Sequence, residues 1–444
     1  MVLKSKPEQE LLDRAEAAID LARKAGADGA WASASTSRST SYQVRDGELE
    51  RMQHSHSRRL SVELYVDGRY FSHSTSDLRD AQLREFMNEA VALTRALQPD
   101  PHRRLPDPEL FEGQSTVDLQ AVDEGLASFG EPERKALSMA MDARMAGKDG
   151  VISASSTVVD GRYGSAQASS NGFAGSHEGT FVATYANVTL QGEGDRRPEG
   201  GMGASARHRE DLLDPTWIGD EALRRARARL GSKKGPTTTT TMVVDRQSAG
   251  RLVGALLRPA SGRAVQQGQS FWADQLGVPR ISKALTLTDE PLLPRAMGSR
   301  HFDGEGIASR PHTLIEGGAL RTMFIDTYYG RKLGVAPTLS SPSNLVVKPG
   351  RGDLESLAKD AGEGIYVTSW LGGNSDATSG EFSLGLRGHV IEGGKIGAPV
   401  GEMNVTGKLT ELFSKLRKVG GDPWTYGTFH SPTLVFEDVT FSGA

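Results

Sequence analysis

The chain contains no cysteine, which excludes disulfide bonds, thiolate nucleophiles and every zinc site that needs a cysteine ligand. It also lacks an apolar run of the roughly 18 residues that a membrane-spanning helix needs. Residues 1–10 are polar and show no apolar stretch typical of a secretion signal. We therefore predict a cytoplasmic protein that does not associate with a membrane.

A strong excess of one charge sign is also missing. The 444 residues include 52 Lys and Arg against 56 Asp and Glu, a net charge of −4. Phosphate binding needs concentrated Lys and Arg, so this balance gives no reason to expect a nucleic-acid partner. The basic run from Arg224 to Arg229 is mixed with Asp220 and Glu221, which indicates a solvated helix face.

Common catalytic motifs do not occur in the sequence. None of the ten histidines forms an H-E-x-x-H motif or any other H-x-x-x-H pair. Residues 268–272 lack the last glycine of a G-x-S-x-G nucleophile elbow. His54 and His56 share one face of a predicted strand, but a pair without a third ligand is usually ordinary surface.

Residue periodicity predicts an α+β unit at the start of the chain. Ser5 and Glu8 form a capping box for an amphipathic helix. Alternating apolar residues over 60–66 predict a strand, and Asp67-Gly68 supplies the turn of a hairpin. A second amphipathic helix is expected from Leu78 to Leu97.

One short sequence occurs twice and suggests a duplication. Val66-Asp67-Gly68-Arg69-Tyr70-x-Ser72 recurs as Val159-Asp160-Gly161-Arg162-Tyr163-x-Ser165. We interpret both copies as hairpin turns, which predicts a duplicated helix-plus-hairpin unit. Helices over 120–126 and 132–145 and a strand from Val151 complete the second unit.

After Gly235-Pro236 the chain is glycine-rich and has many short strand-like runs. Brief helices are expected near 248–257, 353–361 and 406–418. The predicted fold class is therefore α+β, with an N-terminal α/β-type region and a mostly β, barrel-like or sandwich-like C-terminal domain. The length favours two or three domains, and we place them at 1–105, 106–235 and 236–444.

Two polar segments of the C-terminal domain are candidate functional sites. Residues 300–306 place charged side chains between glycines, which is typical of a loop that closely approaches another group. Residues 371–383 offer small hydroxyl and amide groups and accessible backbone, which suit an extended peptide. On composition alone, two turn clusters within a β-domain are the simpler interpretation.

The same two segments resemble the TldD/PmbA family. Phe302-Asp303-Gly304-Glu305-Gly306, the Glu316-Gly317-Gly318 turn and the segment 326–334 are similar to motifs of that family. Gly373-Asn374 with residues 378–383 resembles the form typical of PmbA, also called TldE. The resemblance extends over nearly the whole chain.

The resemblance implies a subunit without zinc. TldD carries a His-Glu-x-x-x-His helix at the start of its C-terminal domain and a later cysteine ligand, whereas residues 245–262 contain no histidine or glutamate. The chain would then carry no catalytic residue, metal ligand or cofactor, and would pair with a TldD-like zinc subunit that cuts unfolded or flexible peptides. The following residues would shape the substrate path or the subunit interface: His301, Asp303, Glu305, Arg310, Asn374, Ser375, Thr378, Ser379, Phe382 and Ser383.

Two other functions stay open at this point. The chain could act alone as a homodimeric binding or regulatory protein of the gyrase-modulator type. It could also be an independent hydrolase with unconventional ligands, either His54 with His56 or His301 with Asp303 and Glu305. Metal content and partner binding distinguish these three functions.

Overall fold

The computed structural model describes residues 6–443, and the first half of the chain forms a six-stranded antiparallel sheet with four helices on one face. The strands are β1 (Gly29–Arg45), β2 (Glu48–Val66), β3 (Arg69–Thr75), β4 (Val151–Ser169), β5 (Ala174–Leu190) and β6 (Glu199–Ala206). The helices are α1 (Lys6–Lys24), α2 (Asp80–Arg95), α3 (Glu131–Asp142) and α4 (Pro215–Arg227).

The order helix, three strands, helix occurs twice in this region, which confirms the predicted duplication. The spatial strand order β3-β2-β1-β4-β5-β6 joins the two units through β1 and β4. Helices α1 and α2 bury residues such as Ala15 and Met87 against the first three strands and β4. Helices α3 and α4 bury Met141 and Ile218 against the other half of the sheet. Each unit thus has its own hydrophobic core on the same face.

The predicted second hairpin turn is wrong. Asp67 and Gly68 have φ values of 49° and 72° and do form the β2–β3 turn, whereas Asp160 and Gly161 lie inside β4. A Cβ atom on Gly161 would lie 2.6 Å from the carbonyl oxygen of Arg38, so this glycine permits close packing of strands. The dipeptide Asp-Gly therefore forms a turn in one copy and lies in a closely packed strand in the other.

The C-terminal region contains short strands and short helices. The strands are β7 (Lys233–Lys234), β8 (Thr238–Val244), β9 (Leu287–Asp289), β10 (His312–Glu316), β11 (Ala319–Leu320), β12 (Leu345–Val347), β13 (Gly364–Trp370), β14 (Asn374–Ser375), β15 (Glu381–Glu392), β16 (Lys395–Lys408), β17 (Leu416–Val419), β18 (Phe429–His430) and β19 (Leu434–Ser442). The helices are α5 (Ala249–Leu257), α6 (Gly262–Gln266), α7 (Thr327–Leu333), α8 (Leu354–Ala361) and α9 (Leu409–Ser414).

Five of these strands close into a barrel, which confirms the predicted barrel-like domain. The pairings run β15-β13-β8-β19-β16, and β16 pairs again with β15. Closure removes most of the unpaired edge that an open sheet would expose. A second sheet, in the order β11-β10-β9-β12-β18, lies beside the barrel, and α5 packs into the core that both share.

Some local predictions need correction. The expected helix over 120–126 is only a 3₁₀ turn at Glu124–Ser128, which Asp123 caps. The expected helix over 406–418 is limited to α9, because Thr406 pairs with β15 and Leu416 pairs with β19. The capping box at Ser5 lies outside the described residues, and the division into domains at 1–105, 106–235 and 236–444 stays a prediction. Over residues 6–443, no helix combines the length and the apolar character needed to cross a membrane.

Asp160, which was expected in a turn, instead forms a buried ion pair, and this pair yields a prediction about stability. Arg134 of α3 binds Asp160 through two contacts of 2.5 and 2.8 Å, and the two side chains are only 10% and 7% exposed. Arg134→Met leaves the Asp160 carboxylate buried without its partner, so we expect a loss of about 3–5 kcal/mol in the free energy of unfolding. Urea unfolding at neutral pH measures this loss.

Arg144→Met is the matched control, because Arg144 pairs with Asp220 on the surface, where both side chains are nearly half exposed. We expect it to lower the unfolding free energy by less than about 1 kcal/mol. Equal effects of the two substitutions would show that the buried pair contributes no more than a surface pair.

Candidate functional site

The loop of residues 300–306 lies against the sheet face opposite the helices. Phe302 packs edge-on against Phe173, with ring centroids 5.1 Å apart, and Phe173 stacks on Trp31 at 4.9 Å. Ala30 and Ala32 of β1 face the helices, so Trp31 between them faces the opposite side of the sheet. Three segments that are distant in sequence therefore meet in one buried aromatic cluster, which attaches the C-terminal domain to the sheet.

Asp303 and His301 fix the conformation of this loop. Asp303 is 4% exposed, and its carboxylate accepts hydrogen bonds of 2.8–3.1 Å from three backbone N–H groups, those of Glu305, Ile307 and Ser340. His301 donates from Nε2 to the carbonyl oxygen of Val117 at 2.9 Å. Arg310 lies exposed a few residues further on. The first two residues thus support the loop backbone, and Arg310 is a surface residue.

Glu305 lines a cavity of ≈ 140 Å³ between the sheet and the C-terminal domain, which we call the seam cavity. The other lining residues come from the first three strands, the 102–106 segment, the 300–306 loop and α7. They are Trp31, Glu63, Tyr65, Tyr70, His102, Arg103, Arg104, Pro106, Gly304, Thr327 and Tyr328. The guanidinium of Arg103 lies 3.5 Å from the ring centroid of Tyr328 and 4.5 Å from that of Tyr70. The cavity thus combines two carboxyl groups, three phenols and a stacked arginine.

Burial raises the pKa of both carboxyl groups in the seam cavity. Glu305 accepts hydrogen bonds of 2.8 and 2.6 Å from the N–H and hydroxyl of Thr327, yet burial raises its pKa to about 7. Burial also raises the pKa of Glu63, although the Tyr70 hydroxyl and the charge of Arg103 oppose the rise. Glu305 can therefore gain or lose a proton near neutral pH.

The second candidate segment lines a separate cavity of ≈ 390 Å³ beside α5, which we call the α5 cavity. Leu252, Val253, Leu256 and Leu257 of α5 are buried in the barrel core, so the opposite face of the helix is left for the cavity. That face supplies Arg251, Gly254, Ala255 and Arg258. Facing residues are Gly373, Asn374, Ser375, Phe382, Leu384 and Leu409.

Hydrogen bonds hold both arginines against the opposite wall. Arg251 donates from Nη2 to the carbonyl oxygens of Gly372 and Gly373 at 2.9 and 3.1 Å. Arg258 donates from Nη2 to the Ser375 hydroxyl at 2.7 Å. Gly373 has a φ of 94°, and a Cβ atom there would lie 2.0 Å from the carbonyl oxygen of Ser383, so only glycine fits. The wall is therefore formed by tightly packed backbone.

The loop that follows β14 is organised by Asp376. Its Oδ1 accepts hydrogen bonds from the N–H groups of Thr378 and Ser379 at 2.8 and 2.7 Å and from the Ser379 hydroxyl at 3.1 Å. These bonds, led by the one from the Ser379 N–H, lower the pKa of Asp376. Thr378 and Ser379 therefore shape the turn, while Ser383 is exposed and pairs with Asn374 across β14 and β15.

The side chains of the α5 cavity do not fit a zinc ion. Zinc in proteins is bound by thiolate, imidazole or carboxylate groups. A guanidinium group is a permanent cation without an acceptor lone pair, so Arg251 and Arg258 repel a metal ion. A group of three or more His, Asp or Glu side chains suited to a metal is not found among residues 6–443.

His54 and His56 lie on the exposed part of β2, as expected for one face of a strand. His54 Nδ1 is 3.1 Å from the Thr40 hydroxyl, and His56 Nε2 is 3.4 Å from the Thr36 hydroxyl. Both rings thus contact threonines of the neighbouring strand β1. The second candidate ligand set, His301 with Asp303 and Glu305, is bonded to the backbone and to Thr327 as described above.

Of the ten residues proposed from the sequence, the structure places three in the α5 cavity, namely Asn374, Ser375 and Phe382. The structure places a fourth, Glu305, in the seam cavity together with Glu63 and Arg103, which the sequence analysis missed. Sequence reasoning also missed Arg251 and Arg258, although both lie in the stretch compared with the zinc helix. Their spacing of seven residues, on the face opposite four buried apolar residues, is the signal that could have found them.

Three family models match the chain. They describe domain 1, the central domain and the C-terminal domain of the PmbA/TldA metallopeptidases, and they match residues 28–94, 124–230 and 237–443. Together they account for most of the chain.

Relatives and solved structures agree with this match. A metalloprotease PmbA homolog of Haemophilus influenzae is 25% identical, with 98% of this chain and 97% of that protein covered. The crystal structure of a proposed modulator of DNA gyrase from Bacteroides thetaiotaomicron is 37% identical, with all of both chains covered and a TM-score of 0.95. TldE from Thermococcus kodakarensis, 17% identical over 97% of this chain and 100% of its own, shares the fold with a TM-score of 0.83.

The raised pKa of Glu305 predicts a pH-dependent contribution to stability. A carboxyl group with a pKa of about 7 in the folded chain, against 4.5 as the ordinary value, binds more protons when folded. The protonated Glu305 therefore contributes about 3 kcal/mol to the free energy of unfolding. This contribution is complete below about pH 4.5 and is lost as the pH rises to about 7. Glu305→Gln mimics the protonated form, so we expect it to gain stability relative to the parent chain at pH 8 but not at pH 5.

Urea unfolding of both chains at pH 5 and pH 8 measures this difference and cancels the contributions of other titrating groups. Glu355→Gln, at an exposed position of α8, is the control and should show no such pH dependence. If the Glu305→Gln chain and the parent differ equally at both pH values, Glu305 does not carry the predicted proton.

Proposed function

The chain belongs to the TldD/PmbA metallopeptidase family, and we propose that it is the zinc-free, TldE-like subunit of a two-subunit peptidase. In this proposal a TldD-like partner supplies the zinc and the catalytic residues. This chain supplies part of the surface that holds unfolded or flexible peptides. The complex acts in the cytoplasm, and the chain can form a homodimer when its partner is absent.

The observation that carries the proposal is the face that α5 presents to its cavity. The helix consists of Ala-Gly-Arg-Leu-Val-Gly-Ala-Leu-Leu, and its accessible positions bear a guanidinium, a hydrogen atom or a methyl group. Such a helix cannot polarise a carbonyl group through a bound metal or activate water as a general base. Yet the cavity, the barrel and the tightly packed wall around Gly373 are present. A peptidase scaffold without metal-binding side chains on this helix fits a supporting subunit.

Strand β14 supports the assignment of peptides as ligands. Within the described chain β14 is the last strand of its sheet and pairs only with β15, so its other edge remains available. An extended peptide can bind such an edge through main-chain hydrogen bonds, which need no particular sequence. Asn374, Ser375 and Phe382 then line the substrate path, with Thr378, Ser379 and Ser383 beside it. His301, Asp303, Glu305 and Arg310 belong to the second region, where Arg310 is exposed and Asp303 is buried beneath the loop, and the proposal places the subunit interface on the exposed side of this region.

A second candidate function is that of a stand-alone homodimeric binding or regulatory protein. The description of the Bacteroides relative as a proposed modulator of DNA gyrase favours it. This function needs no partner peptidase, and a stable homodimer without affinity for a TldD-like subunit would support it. An independent hydrolase with unusual ligands is the third function, and it requires stoichiometric metal in this chain.

The proposal predicts that peptidase activity requires two chains. We expect an unfolded peptide to be cut by a mixture of this chain with a TldD-like subunit, and by neither protein alone. Elemental analysis of proteins purified without chelator should find zinc in the partner and less than one ion per chain here. Size-exclusion chromatography of the mixture should show a complex that neither protein forms alone.

Activity with bound metal in this chain alone would overturn the proposal in favour of an independent hydrolase. A homodimer that forms no complex with any TldD-like subunit would favour the regulatory function. The control is a partner treated with chelator and resupplied with zinc, which restores activity only if the metal belongs to the partner.

A further inference from the structure

The two arginines of the α5 cavity have no anionic partner in the part of the chain that the structure describes. The ion pairs found between residues 6 and 443 include neither Arg251 nor Arg258. The lining residues of the cavity include no Asp or Glu. Two positive charges thus face one cavity without a negative charge among its walls, which favours binding of an anion.

Both guanidinium groups are held in position before any ligand binds. Each uses only its Nη2 atom for the bonds to the opposite wall, as described above, so its other N–H groups remain for a ligand. Arg251 lies in α5 and Arg258 is the C-terminal cap of that helix, seven positions later, which is about 10.5 Å along the helix axis. A fixed guanidinium loses little side-chain freedom when it binds, and its planar fork matches a carboxylate.

The inner wall of the cavity is apolar. Phe382, Leu384 and Leu409 belong to the barrel core behind this wall and are only 5%, 4% and 0% exposed, so a small apolar area of Phe382 and Leu384 faces the cavity. A volume of ≈ 390 Å³ admits a carboxylate together with an apolar side chain. Strand β14, which consists of Asn374 and Ser375, also lines this cavity. The cavity therefore offers sites for a negative charge, an apolar group and an extended backbone.

We propose that the α5 cavity binds the C-terminal carboxylate of an extended peptide whose last side chain is apolar. Arg251 and Arg258 receive the carboxylate, the apolar side chain contacts Phe382 and Leu384, and the backbone lies along β14. Peptide as the ligand rests on the proposed function, but binding to this chain alone needs no partner subunit. The family's zinc position thus carries, in this chain, a site for the end of the peptide.

The test compares peptides that differ only in the terminal group. We would measure binding of a fluorescent, flexible six-residue peptide ending in leucine to the whole isolated chain, by anisotropy at low salt. The free acid is expected to bind at least about tenfold more tightly than the C-terminal amide, because only the acid forms charge-assisted hydrogen bonds. An amide with one internal glutamate tests whether a side-chain carboxylate suffices, and it is expected to bind like the plain amide.

Substitutions of Gly254 and Arg258, each with a matched control, complete the test. A Cβ atom on Gly254 meets no atom within 4 Å, so Gly254→Asp places a carboxylate between the arginines without a steric clash. We expect Gly254→Asp to abolish the preference for the acid, and Gly254→Ala, the matched control, to keep it. Arg258→Gln is expected to lose most of the preference, whereas Arg263→Gln, an exposed arginine on α6, is expected to keep it. Thermal unfolding confirms that each variant is folded.

Equal binding of the acid and the amide, or no binding of either, would overturn this inference. Tight binding of the amide with an internal glutamate would assign the cavity to acidic side chains and would also overturn it. A preference for the acid in a chain that pairs with no TldD-like subunit would support the cavity and refute the subunit role. The two proposals can therefore fail separately.

Discussion

The structure depends on how the second face of the N-terminal sheet is covered. Four helices pack on one face only, so the apolar residues on the opposite face need another partner. Trp31 and Phe173 pack against Phe302 of the C-terminal domain. Arg207 donates a hydrogen bond of 2.7 Å to the carbonyl oxygen of Met297. The loop of residues 300–306 is therefore fixed by the need to bury this face. The positions of its charged residues result from this packing. Asp303 accepts hydrogen bonds from the backbone N–H groups of the turn, and Glu305 lies in a buried position.

Helix α5 shows the same relation between packing and chemistry at the other site. Its apolar face, with Leu252 and Leu256 fully buried, fixes the helix in the barrel core. The exposed face is then free to vary without loss of fold, because Gly254 and Ala255 contribute little to packing. The side chains on this face can therefore set what the cavity binds without changing the fold.

Much of the fold could be predicted from the sequence, since local periodicity placed α2 and α8 within two residues of their observed bounds, whereas β2 was predicted only over 60–66 and begins at Glu48. The second copy of the repeated heptapeptide could not be interpreted correctly, because only tertiary packing against Phe181 and Arg38 shows that Gly161 is crowded. The site was predicted in part. Asn374 and Phe382 follow from a recognisable motif, whereas Glu63 and Arg103 reach Glu305 from strands and loops far away in sequence. Such convergence leaves no local signal.

The two cavities differ in the sign of their unpaired charge, and this difference assigns them different roles. In the seam cavity the charge of Arg103 offsets that of Glu63, and Glu305, with a pKa of about 7, can take up a proton, so neither carboxyl group needs a ligand to balance its charge. In the α5 cavity nothing on the walls balances Arg251 and Arg258. A buried carboxyl group can take up a proton when it lacks a partner, but a guanidinium cannot release one at any ordinary pH. Arg251 and Arg258 are exposed to water, so their charges persist without a ligand, and an anion that binds in the α5 cavity has to come from outside its walls; if the ligand is a peptide, its C-terminus is the one anion that does not depend on its sequence.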